Sequence, residues 1–348
     1  ELDIRAEEHS ILSRPNGSFA VSLTRNEPVI EVDDLLLVRE PGRLRARGRV
    51  RELGDERFAI ELDSMGTDWE QDQWHLADAA AMEVADGYFH TAGMVFESDA
   101  GRVAIRGGVR PPARLGLVLV LEGADLDLLD RLDLVEGIDG KLDGRLEFTG
   151  SIDSSGIAVD ATVDSLVVAG RRIDSGRLVA RAIGGRVELD ALEFDSATGA
   201  AYAEGTVDFD RPDWLRYLSG GVRAAEEIWG GATLDVDVRP RELDVAYWAD
   251  PESPSGEYGF VTADLGVGGS TRQPSAQGTF DVLNFPAPPF YFPELSGYVV
   301  VDSSGLSLTR GRLDIGGPEA TVQARLPLRV SFTEPAEFLP REGVRVEI

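Results

Sequence analysis

Ile157-Ala158-Val159-Asp160-Ala161-Thr162-Val163-Asp164 decides the fold class. Ile157, Val159, Ala161 and Val163 fall on one side of an extended chain, and Asp160, Thr162 and Asp164 on the other. A period of two is the mark of a half-buried strand in an antiparallel sheet with one wet face. The same pattern returns in Val187-Glu188-Leu189 and in Leu234-Asp235-Val236-Asp237-Val238. Clusters of Gly, Asp and Ser separate such runs, as turns do in a meander. Glu1-Leu2-Asp3-Ile4 already reads as a strand, so the chain is expected to be an excerpt of a longer polypeptide.

Helical spacing is scarce. Ala124 to Val135 puts Leu128, Leu129 and Leu132 on one side of a short helix. Arg211 to Trp229 is the second candidate, with Pro212 at a first helical position and Trp214, Leu215 and Leu218 at helical spacing. The expected organisation is a β segment over 1–136 with a helix near its end, and a β repeat unit over 137–211. A helical insert or cap over 212–230 and a β segment over 231–348 complete it.

An internal repeat runs through these strands. Gly, five residues, Gly, one residue and an aliphatic recur from Gly42 to Val50, Gly101 to Val109, Gly144 to Ile152, Gly199 to Val207 and Gly305 to Leu313. A second echo is Asp153-Ser154-Ser155-Gly156, returning as Asp302-Ser303-Ser304-Gly305. In the first copy Leu44, Ala46, Gly48 and Val50 share a face, so the second glycine interrupts an apolar surface. There it lets the sheet bend or another backbone come close. In the last copy Leu306 and Leu308 are out of phase with Leu313, which predicts a bulge or turn between them.

The stretch from Gly140 to Asp210, with its "G-x-L-x-G-x-L" units, resembles the repeats of the TamB family, among the AsmA-like, bridge-type lipid-transfer proteins. The connector Gly269-Ser270-Thr271-Arg272-Gln273-Pro274 leading to Gly278-Thr279-Phe280 is similar to the "G-S-T-x-x-P-x-x-x-G" idiom of that family. The resemblance is strongest from about Gly137 to Val330. It implies an elongated, curled antiparallel β-sheet, a β-taco with an open hydrophobic groove. It implies phospholipid passing along that groove in the periplasm, between inner and outer membrane. An inner-membrane anchor outside this excerpt and an outer-membrane barrel of the BamA/TamA type are the implied partners.

The candidate groove lining is Leu146, Phe148, Ile157, Val159, Val163, Val187, Leu189, Leu234, Val236, Val238, Val282, Leu313, Ile315 and Val322. Alternation alone leaves a second architecture open, in which these side chains seal a dry sandwich. That is the fold of a structural or adhesive β-solenoid with no cargo. A carbohydrate-binding or carbohydrate-cleaving solenoid needs a row of exposed aromatics on one face, which the sequence does not arrange.

Composition narrows the partners. With 62 acidic residues against 34 basic ones the net charge is −28, which repels nucleic-acid backbones and anionic lipid surfaces. Lys141 is the one lysine. No cysteine is present, so thiolate metal sites and cysteine nucleophiles are excluded. No run of eighteen apolar residues occurs.

Catalysis is not expected. His9, His75 and His90 are far apart and show no metal-ligand spacing. Ser154-Ser155-Gly156 and Ser303-Ser304-Gly305 read as turns without a histidine to activate a hydroxyl. Asp125 and Asp127, or Asp235 and Asp237, read as solvated charge, since no calcium loop surrounds them. Gly107-Gly108 and Gly184-Gly185 are expected to precede strands, so neither makes a phosphate loop. No cofactor or metal is expected. Phe285 to Pro293 reads as a proline-stiffened apolar loop covering a sheet edge, and Trp69, Trp74 and Trp248 as edge or core anchors.

Overall fold

The computed structural model describes residues 2–11, 14–26, 28–39, 42–54, 56–69, 72–86, 88–110, 114–127, 137–151, 154–168, 170–209, 229–249, 259–287, 290–314, 319–332, 337–338 and 345–347. The protein is all-β and antiparallel. It divides into two compact units, residues 1–125 with 142–157, and residues 126–141 with 158–348.

The first unit is a meander. Strands Leu2–Ile11, Arg14–Asn26, Val29–Arg39, Gly42–Gly54 and Arg57–Trp69 pair in chain order. Arg57–Trp69 then meets both Asp72–Leu76 and Ala80–Ala85, which together do the work of one interrupted strand. Tyr88–Ser98, Gly101–Arg110 and Arg114–Asp125 complete the run.

In the second unit Arg171–Ile183, Arg186–Ser196, Gly199–Asp208, Thr233–Arg241 and Phe260–Ser270 pair in order. Gln273–Ala287, Phe290–Asp302, Gly305–Asp314, Glu319–Leu326 and Arg345–Glu347 follow. Strands Ile138–Ser151 and Ser154–Val168 are divided between the units.

The glycine repeat has a mechanical meaning. In four of its five copies the first glycine opens a strand, at Gly42, Gly101, Gly199 and Gly305. The second sits where backbones touch. A Cβ on Gly48 would collide with the Glu61 carbonyl oxygen, and one on Gly311 would stand 2.6 Å from that of Val322. Each lies at a register shift, between Arg47 and Gly48 and between Leu308 and Gly311. Such bulges bend a strand and raise its twist. The copy at Gly144 differs, because both its glycines lie inside the strand Ile138–Ser151.

Arg310 carries the bulge expected in the last copy, with φ of 54°. The extra residue brings Leu306 and Leu308 onto the side of Leu313: Val301 and Val299 face Leu306 and Leu308, while Leu295 faces Leu313.

Three expectations are corrected or bounded. The segment from Phe285 to Pro293 is not a loop but the end of a hairpin, since Phe285 pairs with Phe292, Pro286 with Tyr291 and Ala287 with Phe290. Gly107 and Gly108 lie inside Gly101–Arg110 and do not precede a strand, because their small size admits the carbonyls of Gly116 and Phe89. Of the expected helices, Ala124 and Asp125 end a strand, Asp127 and Trp229 are helical, and 128–135 and 211–228 lie outside the described residues.

One helix was not foreseen. Val245–Ala249 is five residues long. Asp244, fully buried, caps it by accepting from the amides of Ala246 at 3.1 Å and Tyr247 at 3.3 Å.

Candidate functional site

Directly opposed residues of an antiparallel pair point to the same side, so register converts alternation into two faces. In the second unit one row can be followed across ten strands: Leu178, Leu192, Ala203, Val238, Leu265, Gly278, Val299, Leu308, Ala324 and Val346. A parallel row runs Leu189, Gly205, Val236, Val267, Ala276, Val301, Leu306 and Leu326. Neither row contains a polar side chain. The first unit repeats the arrangement through Ile30, Val50, Ile60, Met82, Thr91, Gly107 and Leu117. Its one hydroxyl, on buried Thr91, donates to the Ala81 carbonyl at 3.0 Å.

Most of the expected lining lies on this apolar face. Val187, Leu189, Leu234, Val236, Val238, Val282, Leu313 and Val322 share it in the second unit. Val163 adjoins it, with its Cγ2 2.8 Å from the place of a Cβ on Gly176, which faces Phe194. Val159 is half-buried and alternates with exposed Asp160, as Leu146 does with exposed Arg145. Phe148 and Ile157 are half-buried as well. Ile315 lies outside the described residues.

The state of this face is intermediate. Leu234, Leu313 and Val322 are buried, yet Val187, Leu189, Val236, Val238 and Val282 are only half-buried, and Leu192 is 42% exposed. Where burial is complete it comes from neighbours within the sheet. Leu308, Leu313 and Val322 form a cluster with Phe280, Phe292, Leu295, Ala320 and Ala324, all from four consecutive strands. In the first unit Leu76, Ala80 and Met94 gather Leu62, Met65, Met82 and Phe96 in the same way. The helix Val245–Ala249 adds a local cover. Trp248 lies 4.8 Å from Phe194, ring centre to ring centre, so this tryptophan is an anchor as expected. Arg171 Nε donates to the Trp248 carbonyl at 3.0 Å, and the Arg172 amide donates to the Tyr247 hydroxyl at 2.7 Å.

The reverse face is charged and hydroxylated. Arg239 pairs there with Glu204 at 3.1 Å and Asp264 at 3.6 Å, and its guanidinium stands 5.4 Å from the centre of the Tyr202 ring. Tyr202 donates its hydroxyl to Glu204 at 2.7 Å. That hydrogen bond, helped by Arg239, holds the Glu204 carboxyl below its ordinary range, and the same bond pushes the Tyr202 phenol up against the opposing effect of Arg239. Asp235 and Asp237 belong to this face, with Asp237 3.9 Å from Arg239, so their reading as outer-face charge fits the register.

Two hollows, of about 570 and 530 Å³, open on this polar side and share Arg239 and Arg241. Sequence reading missed them, since their walls come from several neighbouring strands whose side chains meet only through register. Among the described residues no group of three or more His, Asp or Glu is placed to hold a metal ion, and no helix is long and apolar enough to cross a membrane.

The connector from Gly269 to Pro274 is a tight turn. Strands Phe260–Ser270 and Gln273–Ala287 are joined by Thr271 and Arg272 alone. Thr271 is fully buried, and Pro274 pairs opposite Gly269. Compared with known proteins, the chain matches no family model, no curated protein and no solved structure.

Proposed function

We propose that the uncharged sheet face holds the acyl chains of phospholipids and lets them move along it, as part of a cell-envelope bridge of the TamB type. One observation carries this reading: across ten strands of the second unit the row from Leu178 to Val346 contains only aliphatic residues and glycine, and much of it stays half-buried. Each methylene removed from water there is worth about 0.8 kcal/mol. A lining without polar groups offers no single strong minimum, which suits movement along it. On this reading the chain works in the periplasm, with an inner-membrane anchor and an outer-membrane barrel of the BamA/TamA type as partners. The acidic reverse face keeps the sheet soluble and discourages edge pairing.

A second reading, a structural β-layer without cargo, draws on a different observation: the hollows of about 570 and 530 Å³ in the second unit lie on the polar side, and Leu308, Leu313 and Val322 seal part of the apolar side. Mass spectrometry of lipid extracted from the purified, folded chain separates the two. Stoichiometric phospholipid supports the conduit. Lipid-free protein that also fails to take up fluorescent phospholipid supports the structural layer.

A further inference from the structure

We infer that the 570 Å³ hollow on the polar side is a binding site for an anionic polyol, a sugar bearing a phosphate group. The inference concerns the face opposite the acyl-chain surface and does not depend on that proposal.

The hollow is walled by five consecutive strands, Thr233–Arg241 to Gly305–Asp314. Its volume falls within the usual range of small-molecule sites, about 300–1,000 Å³. Register lays a polar ladder across its floor, in which Thr262 faces Asp281, Asp281 faces Ser296 and Ser296 faces Arg312. A second rung runs from Asp264 to Thr279 and Tyr298. Hydroxyl groups thus line the middle and arginines the ends, with Arg241 on one side and Arg310 and Arg312 on the other.

Charge points to an anion. The hollow gathers Arg239, Arg241, Arg310 and Arg312 against the carboxylates of Asp264 and Asp281, although the chain as a whole is at −28, and Arg239 is already engaged by Glu204 and Asp264. Among the described residues Arg241, Arg310 and Arg312 make no ion pair, although Asp281 shares the hollow with them. Strand spacing of about 4.8 Å puts Asp281 roughly 10 Å from the backbone of Arg312, two strands away. Guanidinium groups without carboxylate partners are suited to forked contact with phosphate oxygens. Asp281 carries a buried carboxylate oxygen, Oδ1, that lacks a hydrogen-bond partner. A bare phosphate would leave that acceptor unsatisfied, whereas a ligand hydroxyl supplies the donor.

Backbone strain is concentrated at the same place. Arg310 holds φ of 54° and Glu242, beside Arg241, holds 47°, in a region that side chains other than glycine rarely adopt. In a regular strand Leu308, Arg310 and Arg312 would share a face. The bulge sends Leu308 to the apolar side and leaves Arg312 on the polar side, opposite Ser296. Bulges are a common device for re-aiming side chains at sites, and strain of this kind collects there.

The same chemistry is offered by a soluble sugar phosphate and by a phosphorylated-sugar lipid headgroup. The test is calorimetric titration of the full chain with glucose 6-phosphate, inorganic phosphate and glucose, beside flotation with phosphatidylcholine vesicles with and without phosphatidylinositol 4-phosphate. Saturable binding of glucose 6-phosphate, tighter than either phosphate or glucose, is expected; flotation only with the phosphorylated lipid identifies a headgroup as the source. R312Q and R241Q should each weaken binding about tenfold or more, as loss of a charge-assisted contact does. R310G gives the sharper result: relieving the left-handed residue should raise the unfolding midpoint while binding falls. No saturable binding to any of these anionic ligands overturns the inference. So does equal affinity in wild type, R312Q and R310G, with circular dichroism showing each folded.

Discussion

Thr271 donates its hydroxyl to the carbonyl of Trp229 at 2.5 Å, across forty-two positions of sequence, from a side chain with no solvent exposure. Its amide donates to the Ala232 carbonyl at 3.0 Å, so one residue ties a hairpin turn to the entry of the strand Thr233–Arg241. Thr271→Val keeps the shape and removes the hydroxyl, leaving the Trp229 carbonyl without this donor. The expected cost is about 1–3 kcal/mol, read as a lower urea midpoint with unchanged slope. Thr271→Ser should restore most of it, and an unaltered valine variant would show that the turn is held by backbone alone.

Gly48 and Gly116 provide a matched pair. A Cβ at Gly48 meets the Glu61 carbonyl, whereas one at Gly116 meets nothing within 4 Å. Gly48→Ala is expected to destabilise by about 2–4 kcal/mol and Gly116→Ala to stay within about 0.5 kcal/mol of wild type. Chemical unfolding of both variants measures the difference. Equal effects would remove close backbone approach as the reason for the repeat glycine.

The apolar face makes a prediction about charge placement. Val236 is half-buried on that face, and neighbouring Asp237 lies on the other. Val236→Glu should abolish uptake of fluorescent phospholipid while the chain stays folded, and Asp237→Asn should leave uptake unchanged. Global unfolding of Val236→Glu, seen by circular dichroism, favours the sealed structural layer instead.

The turn at Asp302 predicts a pH dependence. Its carboxylate accepts from the Ser304 hydroxyl at 2.6 Å and the Ser304 amide at 2.7 Å, and these bonds hold its carboxyl below the ordinary range. A carboxyl lowered on folding contributes stability that is fully present above its unfolded pKa, about 3.9, and fades as pH falls through the folded value. Wild type should therefore exceed Asp302→Asn in stability at neutral pH, and the gap should close progressively below about pH 4. Thermal unfolding of both proteins across that range measures it. The side chain is solvated, so the gap is small and shrinks further in salt.

Much of the fold was legible because alternation is a local property. Val187, Leu189, Leu234, Val236 and Val238 fall on one face in the structure as their spacing required. The phase break between Leu308 and Leu313 announced a bulge, and Arg310 carries it. The five-residue helix after Asp244 was illegible, since one turn has no period to detect. The hairpin at Phe285 to Phe292 was hidden by its prolines, which suggest a break although hairpin ends accommodate them.

The sequence by itself determined strand identity, the division into an uncharged and a charged face, and the places where only glycine lets two backbones meet. These follow from a side-chain period of two and from the volume of a single Cβ, both readable from neighbours along the chain. Tertiary structure alone decided which residues meet across strands and how far each face stays open to solvent. Arg241 and Arg312 belong to one hollow only because four successive antiparallel pairings, each with its own register, bring them there. Register accumulates over long-range pairings, and no local pattern encodes that sum.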